Sequence, residues 1–323
     1  MPDYKAPVRD MKFVLHEVLG AEQLLASMPK TSEVNAELMN TVLDEAAKVA
    51  ETLLAPLNRQ GDEIGCRFEE GKVTTPQGFV EGYRTFASGG WIGLSGDPAY
   101  GGQGMPKMLS VCFEEMIMGA NSSLALYAVL SAGATLALAR HASDELKQAY
   151  LPKLYEGSWS ATMCLTEPHA GTDLGIIKTR AEPQADGSYK LTGTKIFITG
   201  GEHDLTDNII HMVLAKLPDA PPGPKGISLF LVPKLMPDAD GSPGAANGVS
   251  CGSIEHKMGI KGSATCVMNF DDATAYLIGE PHKGLTYMFT MMNYERLTIG
   301  LQGLGLAEAS YTTAAEYAKE RIQ

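Results

Sequence analysis

Apolar positions recur at helical spacing through the first third of the chain. In NAELMNTVLDEAAKVAETLLAPLN, Leu38, Val42, Ala46, Val49 and Leu53 fall on one face, which predicts an amphipathic helix that Pro56 ends. Phe79, Tyr83 and Phe86 mark the buried face of a second helix running up to Gly89-Gly90. The following stretch, GLSGDPAYGGQGMP, is too rich in glycine and proline for regular structure. From Lys107 to Arg140 the chain is apolar with many small residues, as in helices buried within a bundle. Ser143 is placed to cap DELKQAYLPKLYEG, with Leu146, Tyr150 and Leu154 facing inward and Pro152 a local irregularity.

At Trp159 the period changes. IIKTRAEPQ, YKLTGTKIFIT, NIIHMVLAK, GISLFLVP and ATCVMNFDD are short β-rich runs broken by Gly, Pro and Asp, with Ala185-Asp186-Gly187 a hairpin turn between the first two. Without intervening helices, they predict an antiparallel sheet closed as a barrel or packed as a sandwich. PDADGSPGAANG, residues 237–248, reads as a polar surface loop. After Pro281 the helical period returns and runs to the last residue without a C-cap signal, so the chain reads as cut short. Gly300, Gly303 and Gly305 in this stretch would let another helix backbone approach closely. The expected fold class is α+β: an N-terminal extension over 1–34, a helical domain over 35–160, a β domain over 161–275, and the opening of a second helical domain over 276–323.

Charge and composition narrow the partners. Acidic side chains number 38 against 26 basic, a formal net charge of −12, which argues against nucleic acid because phosphate recognition needs a clustered basic face. The N-terminal MPDYKAPVRDMKFVLHEVLG mixes charges among its apolar residues and does not read as a signal peptide. No run of about eighteen apolar residues is evident, so no transmembrane segment is expected, and a cytoplasmic location follows by elimination. Cys66, Cys112, Cys164, Cys251 and Cys266 form no CxxC pair, which fits buried thiols in a reducing compartment. His141, His203, His211, His256 and His282 show no ligand spacing, and no metal site is expected.

The chemistry concentrates at the junction of the helical and β parts. SATMCLTEPHAGTD, residues 160–173, offers a strand end, a hydroxyl at Thr166, a turn at Pro168 to Gly171 whose backbone N–H groups can hold an anionic or carbonyl-rich ligand, and a second hydroxyl at Thr172. Taken alone it is a strand-to-strand loop. The stretch resembles the flavin-binding signature of the acyl-CoA dehydrogenase family, and KIFITGG at 195–201 resembles that family's second flavin segment. MMNYERLTIG, EYAKERIQ and the order of helical, β and helical domains are similar to the family as well. YKAPVRDMKFVLHEVL and KIFITGGEHDLTDN resemble its long branch, which includes enzymes described as 3-methylmercaptopropionyl-CoA dehydrogenases.

The resemblance implies FAD-dependent α,β-dehydrogenation of an acyl-CoA thioester. By it, Thr166 supplies the hydroxyl near flavin N5, the backbone of Met163 and Leu165 meets the pyrimidine edge, and Phe197, Ile198 and Thr199 cover the other face. Thr172 is matched to both flavin and the thioester-proximal part of CoA. Asn293 and Arg296 correspond to positions at the CoA entrance, and Arg321 to the arginine that reaches the FAD of a neighbouring subunit. Phe197 and Met163 stand where many members have tryptophan and another aromatic, and His169 where many have glycine. An electron-transfer flavoprotein as acceptor and a homodimer or homotetramer are further implications. Abstracting the α proton needs a carboxylate base, and most relatives carry it far downstream, beyond the equivalent of Gln323. A minority carry it where Glu295 stands; Glu295 is therefore a candidate base, set against its expected role in a structural ion pair with Arg296. Thr166 and Thr199 are expected side by side on one cleft. The rival reading is a non-catalytic FAD- or CoA-binding fragment or assembly module.

Overall fold

The computed structural model describes residues 3–322. Helix α1 (Val8–Phe13) passes directly into a π turn, and α2 (Ala21–Ala26) follows. Helix α3 (Ala36–Val49) starts at Asn35, whose side-chain oxygen accepts from the Leu38 N–H at 2.9 Å. Pro56 does not end it. A π turn over Ala50–Leu54 carries the chain into α4 (Ala55–Ile64), with Pro56 at its second position. The widened turn accommodates the ring and the missing N–H, so the proline is tolerated at a helix start. The deepest stripe is Met39, Leu43, Ala46, Ala50 and Leu54, with Leu38, Val42, Val49 and Leu53 on its half-buried flank.

A short hairpin, β1 (Arg67–Glu69) and β2 (Lys72–Thr74), precedes α5 (Phe79–Ser88), which buries Phe79, Tyr83 and Phe86 as its spacing predicts. The apolar stretch then forms one helix, α6 (Lys107–His141), kinked at Asn121 (φ −158°, ψ 84°). There the Asn121 side chain accepts from Leu124 N–H and donates to Leu54 O, both at 3.1 Å. By length and composition α6 could cross a bilayer, contrary to the expectation from the sequence, yet 78% of its most apolar window is buried inside the protein. Helix α7 (Asp144–Glu156) is capped by Ser143 and ends at Gly157.

The β domain comprises β3 (Trp159–Cys164), β4 (Arg180–Pro183), β5 (Tyr189–Thr199), β6 (Asn208–Lys216), β7 (Ile227–Pro233), β8 (Leu235–Pro237), β9 (Pro243–Ala246), β10 (Val249–Ile254) and β11 (Thr265–Ile278). Strands β11, β5, β4, β6 and β7 pair in that order and close back on β11, making a barrel whose wall β3 extends alongside β6 and β10 alongside β11. The sheet is not wholly antiparallel. β3 runs parallel to β6 from Trp159↔Asn208 to Cys164↔Val213, because the chain enters from α7 at the same end. Residues 237–248 are ordered rather than a free loop: β8 and β9 pair, and the Asn247 amide donates to Pro233 O and Thr274 O at 2.8 Å.

The last helix, α8 (Gly284–Glu320), lies along α6 and ends at Glu320, short of the expected last residue; Gln323 itself lies outside the described residues. At Gly305 a Cβ would stand 2.6 Å from Glu115 O and 2.9 Å from Gly119 N, so the two helices meet backbone to backbone. Gly300 and Gly303 face open space and serve no such contact. Gly305→Ala should therefore destabilise by about 1–3 kcal/mol through overpacking. Gly300→Ala should stabilise by about 0.5–1 kcal/mol through helix propensity. Chemical unfolding of the two variants checks this contrast, and shifts of the same sign would contradict it.

Candidate functional site

Strand β3 runs from the helical domain into the barrel wall, so its end delivers Met163 to Thr166 to the domain junction. Leu165 is buried and Thr166 half-buried. The chain then folds back through a bridge in which Glu167 N–H donates to Ala170 O at 2.9 Å and Ala170 N–H to Glu167 O at 3.0 Å. This turn leaves Gly171 and Thr172 exposed, and a Cβ on Gly171 would meet nothing.

A buried ion pair fixes the turn. The Glu167 carboxylate accepts from Lys195 Nζ at 2.8 Å, Lys178 N–H at 2.7 Å, and Thr179 N–H and Oγ1 at 3.0 and 2.6 Å. Lys195 is fully buried on β5 and also donates to Leu165 O at 2.9 Å. Burial alone would raise the Glu167 pKa, but the Lys195 charge and these donors hold it below the usual carboxylate value. One residue on, Ile196 N–H donates to Thr166 O at 2.9 Å. The two flavin-like segments thus form one continuous surface. Neither Lys195 nor Glu167 was singled out from the sequence; charged residues inside an otherwise apolar strand and strand end were the available signal.

Phe197 follows with φ 59° and is 59% exposed, a backbone conformation rare outside glycine. It sits at a bulge in the β5–β11 ladder, between Lys195↔Met268 and Ile198↔Cys266, which turns the ring outward. Ile198 points its side chain into the barrel core, so only its backbone can meet a ligand.

A cleft of about 490 Å³ lies between this surface and α8, lined by Leu165, Thr166, Gly171 and Thr172 on one side and by Leu285, Phe289, Met292 and Arg296 on the other. The structure therefore brings Leu165, Thr166, Thr172 and Arg296 together. The Arg296 guanidinium donates to Asn293 Oδ1 at 2.7 Å and lies 5.4 Å from the Phe289 ring centre. Met163, Phe197, Ile198 and Thr199 do not line this cleft; they lie on the two segments that the Ile196–Thr166 bond joins. Arg321 caps the end of α8 and donates to Tyr317 Oη at 3.0 Å. About 25 residues of helix separate it from Arg296, roughly 37 Å.

Glu295 makes no ion pair with Arg296. Adjacent residues on a helix point about 100° apart, so Arg296 faces the cleft while Glu295 turns towards α6. Its carboxyl packs where a Cβ on Gly133 would overlap Oε1, and that oxygen is buried without a hydrogen-bond partner. Beside it Glu114 Oε1 accepts from Lys107 Nζ at 2.7 Å and Tyr294 Oη at 2.8 Å. Burial first, and the Glu114 charge second, push the Glu295 pKa up to about 8 against the opposing pull of Lys107.

Comparison with known proteins places this geometry. Models of the acyl-CoA dehydrogenase N-terminal, middle and C-terminal domains match residues 37–158, 162–273 and 282–323. The chain is 44% identical over 320 residues to the 3-methylmercaptopropionyl-CoA dehydrogenase of Ruegeria pomeroyi, covering 99% of this chain and 54% of that protein. It is 39% identical over 333 residues to a butyryl-CoA dehydrogenase of Syntrophomonas wolfei, again covering 99% and 54%. The three-dimensional structure of butyryl-CoA dehydrogenase from Megasphaera elsdenii superposes with a TM-score of 0.74 at 28% identity, over 88% of this chain and 70% of that one. The chain thus spans about half the length of the curated relatives it matches.

The Glu295 environment generates a pH prediction. With its folded value near 8, the folded state holds a proton that the unfolded chain releases above its ordinary carboxyl value. The contribution is complete below about pH 4 and falls by about 1.4 kcal/mol per unit as pH rises towards 8. Glu295→Gln should flatten the decline in melting temperature between pH 5 and 8. Identical profiles for variant and wild type would contradict the assignment.

Proposed function

The chain belongs to the acyl-CoA dehydrogenase family, and from that premise we propose that it serves the FAD-dependent α,β-dehydrogenation of an acyl-CoA thioester to the 2-enoyl-CoA. The observation that carries this reading is the cleft that Thr166, Thr172 and Arg296 line together with the apolar Leu165, Leu285, Phe289 and Met292. Its donors suit a ring system rich in carbonyl and imine nitrogen, and the open backbone at Gly171 admits a phosphate. FAD, when bound, supplies the acceptor for the hydride from the substrate β carbon.

In this reading Thr166 directs its hydroxyl at flavin N5, and the backbone of Met163 and Leu165 holds the pyrimidine edge. Phe197, Ile198 and Thr199 cover the second face, where the outward Phe197 ring is the apolar wall. Thr172, Asn293 and Arg296 orient the CoA moiety, the guanidinium being the fixed charge suited to a phosphate. Arg321, at the far end of α8, reaches towards a neighbouring subunit's FAD in a homodimer or homotetramer. Segments 35–160, 161–275 and 276–323 are the domains that frame the site, with 1–34 an extension. Five unpaired cysteines support a reducing compartment such as the cytoplasm. The substrate is a short or thioether-bearing acyl-CoA of the kind named for the relatives, and the electron acceptor an electron-transfer flavoprotein.

Glu295 turns its carboxyl to Gly133 and keeps its proton to about pH 8, so we assign it a packing role. The α-proton base then belongs to a carboxylate in the portion of the fold that the longer relatives have and this sequence does not include. Purified protein of the relatives' full length should be yellow and bleach anaerobically on addition of butyryl-CoA or 3-methylmercaptopropionyl-CoA. The 323-residue chain should bind FAD weakly and bleach slowly or not at all. Glu295→Gln in the longer protein should leave bleaching intact; loss of bleaching with flavin retained would make Glu295 the base. Colourless protein that takes up no FAD would overturn the functional reading.

A further inference from the structure

Lys195 and Glu167 do not line the cleft, yet Lys195 bonds the peptide that does. Lys195 has no exposed side-chain surface, and its ammonium divides its bonds between the Glu167 carboxylate and Leu165 O. The described chain has no cis peptide, so in the Leu165–Thr166 unit the N–H points opposite to the C=O. The carbonyl faces Lys195 inside the barrel wall, and the N–H of Thr166 therefore faces the side where Leu165 and Thr166 line the cleft. A charged donor on a carbonyl draws electron density through the amide and strengthens the N–H at its other end. Thr166 O is held in turn by Ile196 N–H, and Glu167 N–H by Ala170 O, so the next peptide unit is fixed at both its polar ends and restrains the rotation of the Leu165–Thr166 unit before it.

We propose that Lys195 is a positioning residue that sets the affinity and reduction potential of the bound flavin, by aiming and polarising the Leu165–Thr166 peptide towards the cleft. This rests on the reading that the cleft holds flavin. Reduction adds negative charge to the isoalloxazine, so a stronger donor against it favours the reduced form. Glu167 neutralises the lysine at longer range and anchors the 178–179 backbone, which confines the influence of Lys195 to the one peptide it contacts.

The test measures FAD dissociation constants and dye-equilibrated midpoint potentials on the FAD-reconstituted protein. Lys195→Met should weaken FAD binding at least tenfold and disfavour the reduced flavin a further tenfold, which is a midpoint about 30 mV more negative for a two-electron couple. Glu167→Gln leaves the ammonium uncompensated and should move the midpoint the opposite way. Lys195→Met strands a buried carboxylate; if it does not fold, Lys195→Met/Glu167→Gln removes both charges and should still show the negative shift. Wild-type potentials and affinities in all variants would overturn the inference, as would shifts of the same sign from Lys195→Met and Glu167→Gln, which would indicate only loosened packing. Wild-type protein that takes up no FAD would overturn the functional reading and this inference with it.

Discussion

The site hangs on one buried ion pair. Taking an ammonium and a carboxylate out of water costs several kcal/mol per ion, and their attraction offsets this only when every remaining polar atom is satisfied. Glu167 meets that condition with four donors and Lys195 with the added Leu165 carbonyl. Losing one partner alone would cost about 3–5 kcal/mol, because the other charge would remain buried. The pair ties together the end of β3, the turn at 167–170, the 178–179 backbone and strand β5, pieces that are remote in sequence. Two residues on, the Phe197 backbone takes its φ of 59°.

Helix α8 supplies the opposite wall, and its rotation assigns its side chains to different tasks. The stripe Leu285, Phe289, Met292 and Arg296 faces the cleft, while Met288, Met291, Glu295 and Thr298 turn into the protein. That rotation is set where α8 meets α6 at Gly305 and Gly119, and again where Gly133 leaves room for the Glu295 carboxyl. Gly119 and Gly133 of α6 and Gly305 of α8 thus set how closely the two helices approach. A Cβ at Gly119 or Gly305 would meet the backbone of the facing helix, whereas one at Gly133 would displace the Glu295 carboxyl.

Local patterns made much of this legible. The stripe Phe79, Tyr83, Phe86, the Ser143 cap and the Ala185-Asp186-Gly187 turn need only neighbours in sequence, and the structure has all three. The motif at 160–173 located the cleft, because its hydroxyls and turn glycine are contiguous. What the sequence did not disclose depends on distant partners. The continuation past Pro56 required a π turn packed beneath α6, and the parallel β3–β6 pairing required knowing where α7 delivers the chain. The Glu295–Arg296 pair was misjudged because adjacency in sequence separates side chains on a helix. Nothing local marks Lys195 apart within its strand, and His203 and His211 show no ligand spacing. In fact both histidines are buried, bonded to Ser160 and Thr162, and pushed down to a pKa of about 3 by burial.

Amide hydrogen exchange, read with and without FAD, tests the central claim that two segments remote in sequence form one ligand-binding surface. On adding FAD, protection should rise together at residues 163–173 and 195–201, with the Thr166 amide slowed most. Protection confined to one of these segments, or appearing elsewhere while both exchange unchanged, would contradict the account.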